Sequence, residues 1–291
     1  MIKTPEEKKK KIVETVTTEW LEKNLINKEI QILDVQPNIH DYIQAHIPGA
    51  VYFNPDLLRV PFEGLPGHYV PVNVAKTLFE RIGLEKDRSA IVYTGKGLFK
   101  GWGDGLEQTM IAYSLARFGH NNVKVLDGGL DKWISEGRRV SKEFPEVIGS
   151  TFETSVRQEF FIGYNEFKNI KDRDDVIVLD ARPPDIYKGQ GPWKKPGHIP
   201  GAINLPWKSL MEEDNPRLLK PLDRIGVILA ETGVNREKEV ICTCGTGREA
   251  TNEFLLLRFY LNYPRVRIFE GSFTEWCSHP ENDTVTGPDP R

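Results

Sequence analysis

His46-Ile47-Pro48-Gly49-Ala50 and His198-Ile199-Pro200-Gly201-Ala202 are one pentapeptide written twice, roughly 150 positions apart. Other landmarks repeat around them in the same order. Upstream, Ile32-Leu33-Asp34-Val35 answers to Val178-Leu179-Asp180-Ala181. Downstream, Val123 to Gly128 with Trp133 answers to Val266 to Gly271 with Trp276. A period this long is far beyond that of a solenoid, and two copies of one domain account for it. In the second copy, short β-branched runs at Val176–Leu179, Ala202–Leu205, Glu239–Thr243 and Val266–Phe269 alternate with helical stretches. The clearest helix is Arg248–Tyr260, where Ala250, Phe254, Leu257 and Tyr260 recur at helical spacing. Short apolar strands alternating with helices predict an α/β fold, each copy a mostly parallel sheet with helices on both faces. The expected divisions are an N-terminal domain over 15–143, a linker over 144–158 and a C-terminal domain over 159–280. The linker is assigned because Phe144 to Ser150 mixes Pro, Gly and polar residues without a period. The tail from Glu281 is expected on the surface.

The 291 residues carry a formal net charge of −3, so no basic field invites nucleic acid. No apolar run has the length of a membrane span. After the basic run Lys8–Lys11 the chain is too polar for a secretory leader, and the cytoplasm is the expected setting. The cysteines are three, Cys242, Cys244 and Cys277. An odd, small number in a chain this long is no disulfide framework. Cys-x-Cys is not a redox dithiol, and His198 and His279 stand alone, so neither a metal nor another cofactor is expected.

The chemistry concentrates in Cys244-Gly245-Thr246-Gly247-Arg248-Glu249-Ala250-Thr251, between the strand Glu239–Thr243 and a helix. A loop so placed turns successive backbone N–H groups inward and adds the positive end of a helix, which predicts a lowered thiol pKa for Cys244. The two glycines let the backbone curl round the sulfur. Arg248 is a candidate cation for an anionic substrate at the loop mouth. A buried structural thiol is the competing reading of Cys244, and it is the preferred one for Cys242 and Cys277.

On these elements the chain resembles the tandem rhodanese-domain sulfurtransferases, the thiosulfate and 3-mercaptopyruvate sulfurtransferases. The resemblance rests on Leu-Asp at the end of the first strand of each copy, the doubled pentapeptide, the Asp-Gly-Gly and Glu-Gly-Ser elements with their tryptophans, and the loop Cys244–Glu249. It runs from about Thr17 to Pro280. It implies ping-pong transfer of sulfane sulfur through a Cys244 persulfide, from a small anionic donor to a thiol or to cyanide. It also implies an inactive N-terminal copy, and no cysteine precedes Cys242. Gly245, Thr246, Gly247, Arg248 and Glu249 would then contact substrate. So would Arg182, near the carboxyl end of the second copy's first strand; pairing with Asp180 is its alternative. His198 is expected to hold its turn, and Trp276 to lie in the core. The glycine-rich stretch Gly95–Gly105 is either a flap over the neighbouring site or a surface loop of its own domain.

The loop departs from the family pattern in Arg248 and Glu249, where a small aliphatic residue and threonine are usual. A pocket-facing Glu249 would repel anionic donors. Three rivals were weighed. A phosphatase or reductase of the same superfamily needs a longer loop, with arginine where Ala250 stands. A dinucleotide site at Gly245-Thr-Gly247-Arg-Glu-Ala250 would need several more βα units than the chain provides after Glu270. A non-catalytic binding module is opposed by the intact cysteine in its glycine loop.

Overall fold

The computed structural model describes residues 11–99, 101 and 103–291. In the first copy the elements run β1 (Val13–Val16), α1 (Thr18–Asn24), β2 (Ile30–Asp34), α2 (Ile39–Gln44), β3 (Val51–Tyr52), β4 (Arg59–Phe62) and β5 (Leu65–Tyr69), then α3 (Val72–Arg81), β6 (Ser89–Tyr93), α4 (Leu106–Arg117), β7 (Val123–Leu126) and α5 (Gly129–Ser135). The second copy runs β8 (Phe161–Ile162), α6 (Tyr164–Ile170), β9 (Val176–Asp180), β10 (Ala202–Asn204), α7 (Leu222–Glu231) and β11 (Glu239–Thr243). It ends with α8 (Ala250–Leu255), β12 (Val266–Phe269) and α9 (Ser272–Ser278). A π-helical turn, Leu256–Tyr260, extends α8.

Each copy holds a five-stranded parallel sheet. The orders are β1-β7-β6-β2-β3 and β8-β12-β11-β9-β10, the same order in both copies. The strands β2 and β9, each paired on both sides, are buried along their whole length, which is why β9 reads as the continuous apolar run Val176–Leu179 rather than an alternating one. The first copy adds an antiparallel hairpin, β4-β5.

The doubled pentapeptide is a doubled hydrogen-bond pattern. His46 stacks on Tyr42, and its Nδ1 and Nε2 lie 2.7 and 3.0 Å from the carbonyl oxygens of Tyr42 and Glu143. His198 does the same with Tyr187 and the carbonyls of Tyr187 and Asp289. Both histidines exchange backbone hydrogen bonds with the chain after their own last helix, at Ser141 and Val285 respectively. His198 therefore holds its turn, as expected. The tail beyond Glu281 runs along the surface but is tied down there, since Trp276 donates its indole N–H to the carbonyl of Asp283 and Asn282 is buried.

The two sheets share a core. All of α4 is buried because α8 of the second copy packs on the face that its own sheet leaves open. Tyr113 meets Phe254 edge-on at 5.1 Å, and Phe160 joins both. This continuous apolar contact fixes one copy against the other and sets the crevice between them. Among the described residues no helix is long and apolar enough to cross a membrane.

Candidate active site

The β-branched strand β11 delivers Thr243 to the carboxyl edge of the sheet, and Cys244 begins the turn into α8. Three anchors from the Glu270-Gly271-Ser272 element hold the turn. The N–H of Phe273 donates to the Cys244 carbonyl (3.0 Å), that of Thr274 donates to the Gly245 carbonyl (3.0 Å), and the Cys244 N–H donates to Ser272 Oγ (3.1 Å). With its first carbonyls turned out toward α9, the loop has amides left to face inward. Ser272 Oγ lies 3.9 Å from the Cys244 sulfur, and the amides of Thr246 and Ala250 favour its ionised form. Gly247 needs its glycine: its φ is +79°, and a Cβ there would sit 2.6 Å from the Glu270 carbonyl oxygen.

The electrostatics correct the sequence expectation for Cys244. The residue is fully buried, and its thiol is raised above the ordinary range, not lowered. Burial is the largest cause. The nearby charge of Glu249 follows, and the amides of Ala250 and Thr246 oppose both. The amides act in the expected direction, but desolvation of a thiolate and a neighbouring carboxylate outweigh two backbone N–H groups. At neutral pH the resting thiol keeps its proton. Glu249 itself is half-buried.

Arg248 also departs from expectation. It leaves the sulfur and crosses to the first copy, donating to both carboxylate oxygens of Asp104 (2.7 and 2.9 Å) and to Glu107 (2.8 Å). Two carboxylates already claim this cation, so it is not free for a donor. Asp104 lies in the Gly95–Gly105 stretch, so that stretch does reach the neighbouring site, though Lys100 and Trp102 lie outside the described residues. Phe99 turns instead toward His40 of its own domain (5.4 Å). Arg182 is a third correction. It is 1 % exposed, donates through Nε and Nη2 to Asp180 and from Nη2 to the Gly197 carbonyl, and lies between the rings of Trp193 and Phe273. That is the pairing with Asp180, while Nη1 has no hydrogen-bond partner among the described residues. Gly245 packs under Trp193, and Thr246 lies beneath the β4-β5 hairpin.

Sequence reasoning missed several participants. Arg59 of β4 donates to the carbonyls of Thr246 and Gly67, so the hairpin clasps the cysteine loop. Tyr113 and Arg117 of α4 both donate to Glu270 at 2.7 Å. Glu253, one turn of α8 beyond Glu249, is fully buried, and neither carboxyl oxygen has a hydrogen-bond partner among the described residues. Burial first, then the charges of Asp180 and Glu249, push it well above the carboxylate range, so it is held neutral. Its spacing from Glu249 was the only available sign; for Arg59 there was none. Cys242 is buried in β11, and the half-buried Cys277 thiol points to the Lys195 carbonyl.

In the first copy the place of Cys244 falls to Thr94. The N–H of Leu130 donates to the Thr94 carbonyl (2.8 Å) as that of Phe273 does to Cys244, and Val35 bonds Tyr93 as Ala181 bonds Thr243.

A family profile described as Rhodanese-like domain matches residues 17–136 and 164–279. The chain belongs to the rhodanese-like family. It is 36% identical, over 95% of its length and 86% of the relative's, to a Synechococcus elongatus protein provisionally named thiosulfate sulfurtransferase. It is 28% identical to the 3-mercaptopyruvate sulfurtransferase of Escherichia coli K12, over 90% of this chain and 94% of that one. Among solved structures, the Escherichia coli 3-mercaptopyruvate enzyme SseA superposes with a TM-score of 0.78 at 26% identity, covering 89% of this chain and 98% of that one. These matches establish two rhodanese domains in tandem and a sulfurtransferase of the thiosulfate/3-mercaptopyruvate type, working between a sulfur donor and a thiol acceptor.

Proposed function

We propose that Cys244 is the residue that carries the sulfur, as a persulfide, between a small donor and a thiol or cyanide acceptor. The observation that carries this reading is the strand-to-helix turn that begins at Cys244, pinned by Ser272, Phe273 and Thr274 and closed by the positive-φ Gly247. With thiosulfate, Cys244 gives up its proton, the thiolate attacks the outer sulfur, a sulfur–sulfur bond forms, and sulfite leaves with the electron pair of the broken bond and takes up that proton as hydrogen sulfite. With 3-mercaptopyruvate the carbon–sulfur bond breaks instead, and the enolate left behind takes up a proton to give pyruvate. Either way Cys244 gains one sulfur. The loop amides then face the charged terminal sulfur of the persulfide, as they would an oxyanion. An acceptor thiolate attacks that sulfur and returns Cys244 to its resting state.

Gly245 and Gly247 shape the cradle. The Thr246 amide favours an ionised sulfur, and the charge of Glu249 opposes it. Arg248 and Arg182 act by holding the loop and the strand end in place. Three free cysteines fit a reducing, cytoplasmic setting.

The test is intact-mass measurement after exposure to either donor, with Cys244→Ser beside the wild type. The wild type gains the mass of one sulfur and Cys244→Ser gains none, while both give the same circular dichroism spectrum. Comparable transfer by folded Cys244→Ser would sink the assignment.

A further inference from the structure

We propose that Arg59, which belongs to the first copy, is a positioning residue for sulfur transfer: it fixes the Thr246–Gly247 peptide of the cysteine loop so that the N–H of Gly247 faces the carried sulfur. The proposal rests on the reading of Cys244 as sulfur carrier and adds a part supplied from outside the domain that holds the cysteine.

The loop is held by its carbonyls. That of Cys244 accepts from the Phe273 N–H (3.0 Å), and that of Gly245 accepts from the N–H and the hydroxyl of Thr274 (3.0 and 2.7 Å). Both anchors belong to α9 of the second copy. The third carbonyl, that of Thr246, accepts instead from Nη2 of Arg59. A trans peptide sets each carbonyl opposite the N–H that follows it. Three carbonyls drawn outward therefore turn the N–H groups of Gly245, Thr246 and Gly247 the other way. None of these three donates to an oxygen of the described residues.

The peptide before Gly247 is the one most in need of an anchor. Glycine takes φ of either sign about equally well, so at Gly247, where φ is +79°, no Cβ opposes a flip of that peptide. A flip would turn the Thr246 carbonyl oxygen inward, where it would repel a thiolate or a persulfide. Arg59 opposes the flip with a planar fork. Its Nε donates to the Gly67 carbonyl (2.8 Å), its Nη2 to the carbonyls of Gly67 and Thr246, and its guanidinium lies 5.3 Å from the centre of the Tyr69 ring. Arg117, Arg182 and Arg248 are each paired with a carboxylate, whereas the hydrogen-bond partners of Arg59 among the described residues are carbonyls. Its charge is left to polarise the peptide that it holds. The hairpin is shaped for this approach: Arg59 sits opposite Tyr69 across β4 and β5, and a Cβ at Gly67 would stand 2.7 Å from Nη2 of Arg59 and 3.2 Å from the Thr246 carbonyl oxygen.

The experiment reads the balance between the thiol and persulfide forms of Cys244 by intact mass in the wild type, Arg59→Met and Arg59→Lys. Each is brought to equilibrium in the same thiosulfate–sulfite mixture, approached from the free enzyme and from enzyme preloaded with 3-mercaptopyruvate. A residue that only supports the fold stabilises both forms alike and leaves the balance where it was. One that aims a donor at the charged sulfur favours the persulfide. The ratio of persulfide to thiol is expected to fall at least about fivefold in Arg59→Met, the scale of one hydrogen bond to a charged group. A smaller fall overturns the proposal. Arg59→Lys keeps a cation within reach of the Thr246 carbonyl and should retain more persulfide than Arg59→Met; equal losses in the two overturn the proposal as well. If the wild type gains no sulfur at Cys244 from thiosulfate or from 3-mercaptopyruvate, it is the sulfur-carrier reading that fails, and this proposal falls with it.

Discussion

Arg248→Met removes the guanidinium that joins the cysteine loop to the first copy, and the structure sets the size of the loss. Of its two partners, Asp104 is about a third exposed and Glu107 is 4 % exposed at the side chain. The bond to Asp104 is solvent-screened and worth up to about 1 kcal/mol. The bond to Glu107 is different, because truncation leaves a buried carboxylate without its cation, a change that costs about 3 kcal/mol or more. Together these give a loss of about 3–4 kcal/mol at pH 8. Burial, then the charge of Asp104, already raise the Glu107 pKa, and Arg248 opposes them. Without Arg248 the folded-state value climbs further above that of the unfolded chain. The folded protein then retains a proton that the unfolded chain releases, so stability falls as pH rises through that interval. The loss should therefore be smaller at pH 5 than at pH 8. Urea unfolding of the wild type, Arg248→Met, Glu107→Gln and the double variant closes the cycle. A coupling of about 2 kcal/mol is expected at pH 8. A coupling under about 0.5 kcal/mol, or a cost for Arg248→Met that ignores pH, would refute the reasoning.

Arg182→Met should act on stability and leave donor recognition alone. It strands Asp180 in the core at a cost of about 3–5 kcal/mol, while KM for either donor stays unchanged in the protein that remains folded; a selective rise in KM would restore Arg182 to the donor site. His120 is buried, and burial draws its pKa down to about 4 from 6.5. The unfolded chain binds a proton there as pH falls below 6.5 and the folded protein does not, so stability drops by up to about 3 kcal/mol between pH 6.5 and 4. Urea midpoints for His120→Gln should lose that acid slope, and an unchanged slope would show that other groups cause it.

The fold was legible because its signals are local. A strand-ending Leu-Asp, a His-Ile-Pro-Gly-Ala turn and a glycine-flanked strand-to-helix loop each carry their own hydrogen-bond chemistry. His46 and His198 need only residues near them, or just past the end of their own domain, to be understood. The loop's backbone was legible for the same reason. What the sequence hid is everything that depends on how the copies dock. Arg248 looked like a cation awaiting an anion because Asp104 and Glu107, over 140 positions away, reach it only once α4 has packed on α8. Arg59 gave no sign of its place over Thr246, since nothing in a β-hairpin states where it will lean. The thiol of Cys244 was misjudged because the sum of loop amides is visible in a sequence, whereas the depth at which they are buried is not. The direction of Glu249 is not readable from sequence either: an acid at the start of a helix can face solvent as easily as the interior.

The two copies explain each other's departures. Thr94 occupies the site of Cys244. The stretch after it lends Asp104 and Glu107 to Arg248, while its Gly103 carbonyl and, beyond it, Asp131 take Arg217 of the second copy. Asn215 and Leu219 add bonds to Gly128 and Asp127 across the same seam. A chamber built to hold a charged sulfur has thus become a socket for two arginines. The inversion of charge follows. The amides and cations that would serve an anion in a working loop are useless to a guanidinium, so the first copy presents carboxylates there instead. The same carboxylates then hold Arg248 of the working loop, so the silent copy acts as a clamp on the turn that carries Cys244.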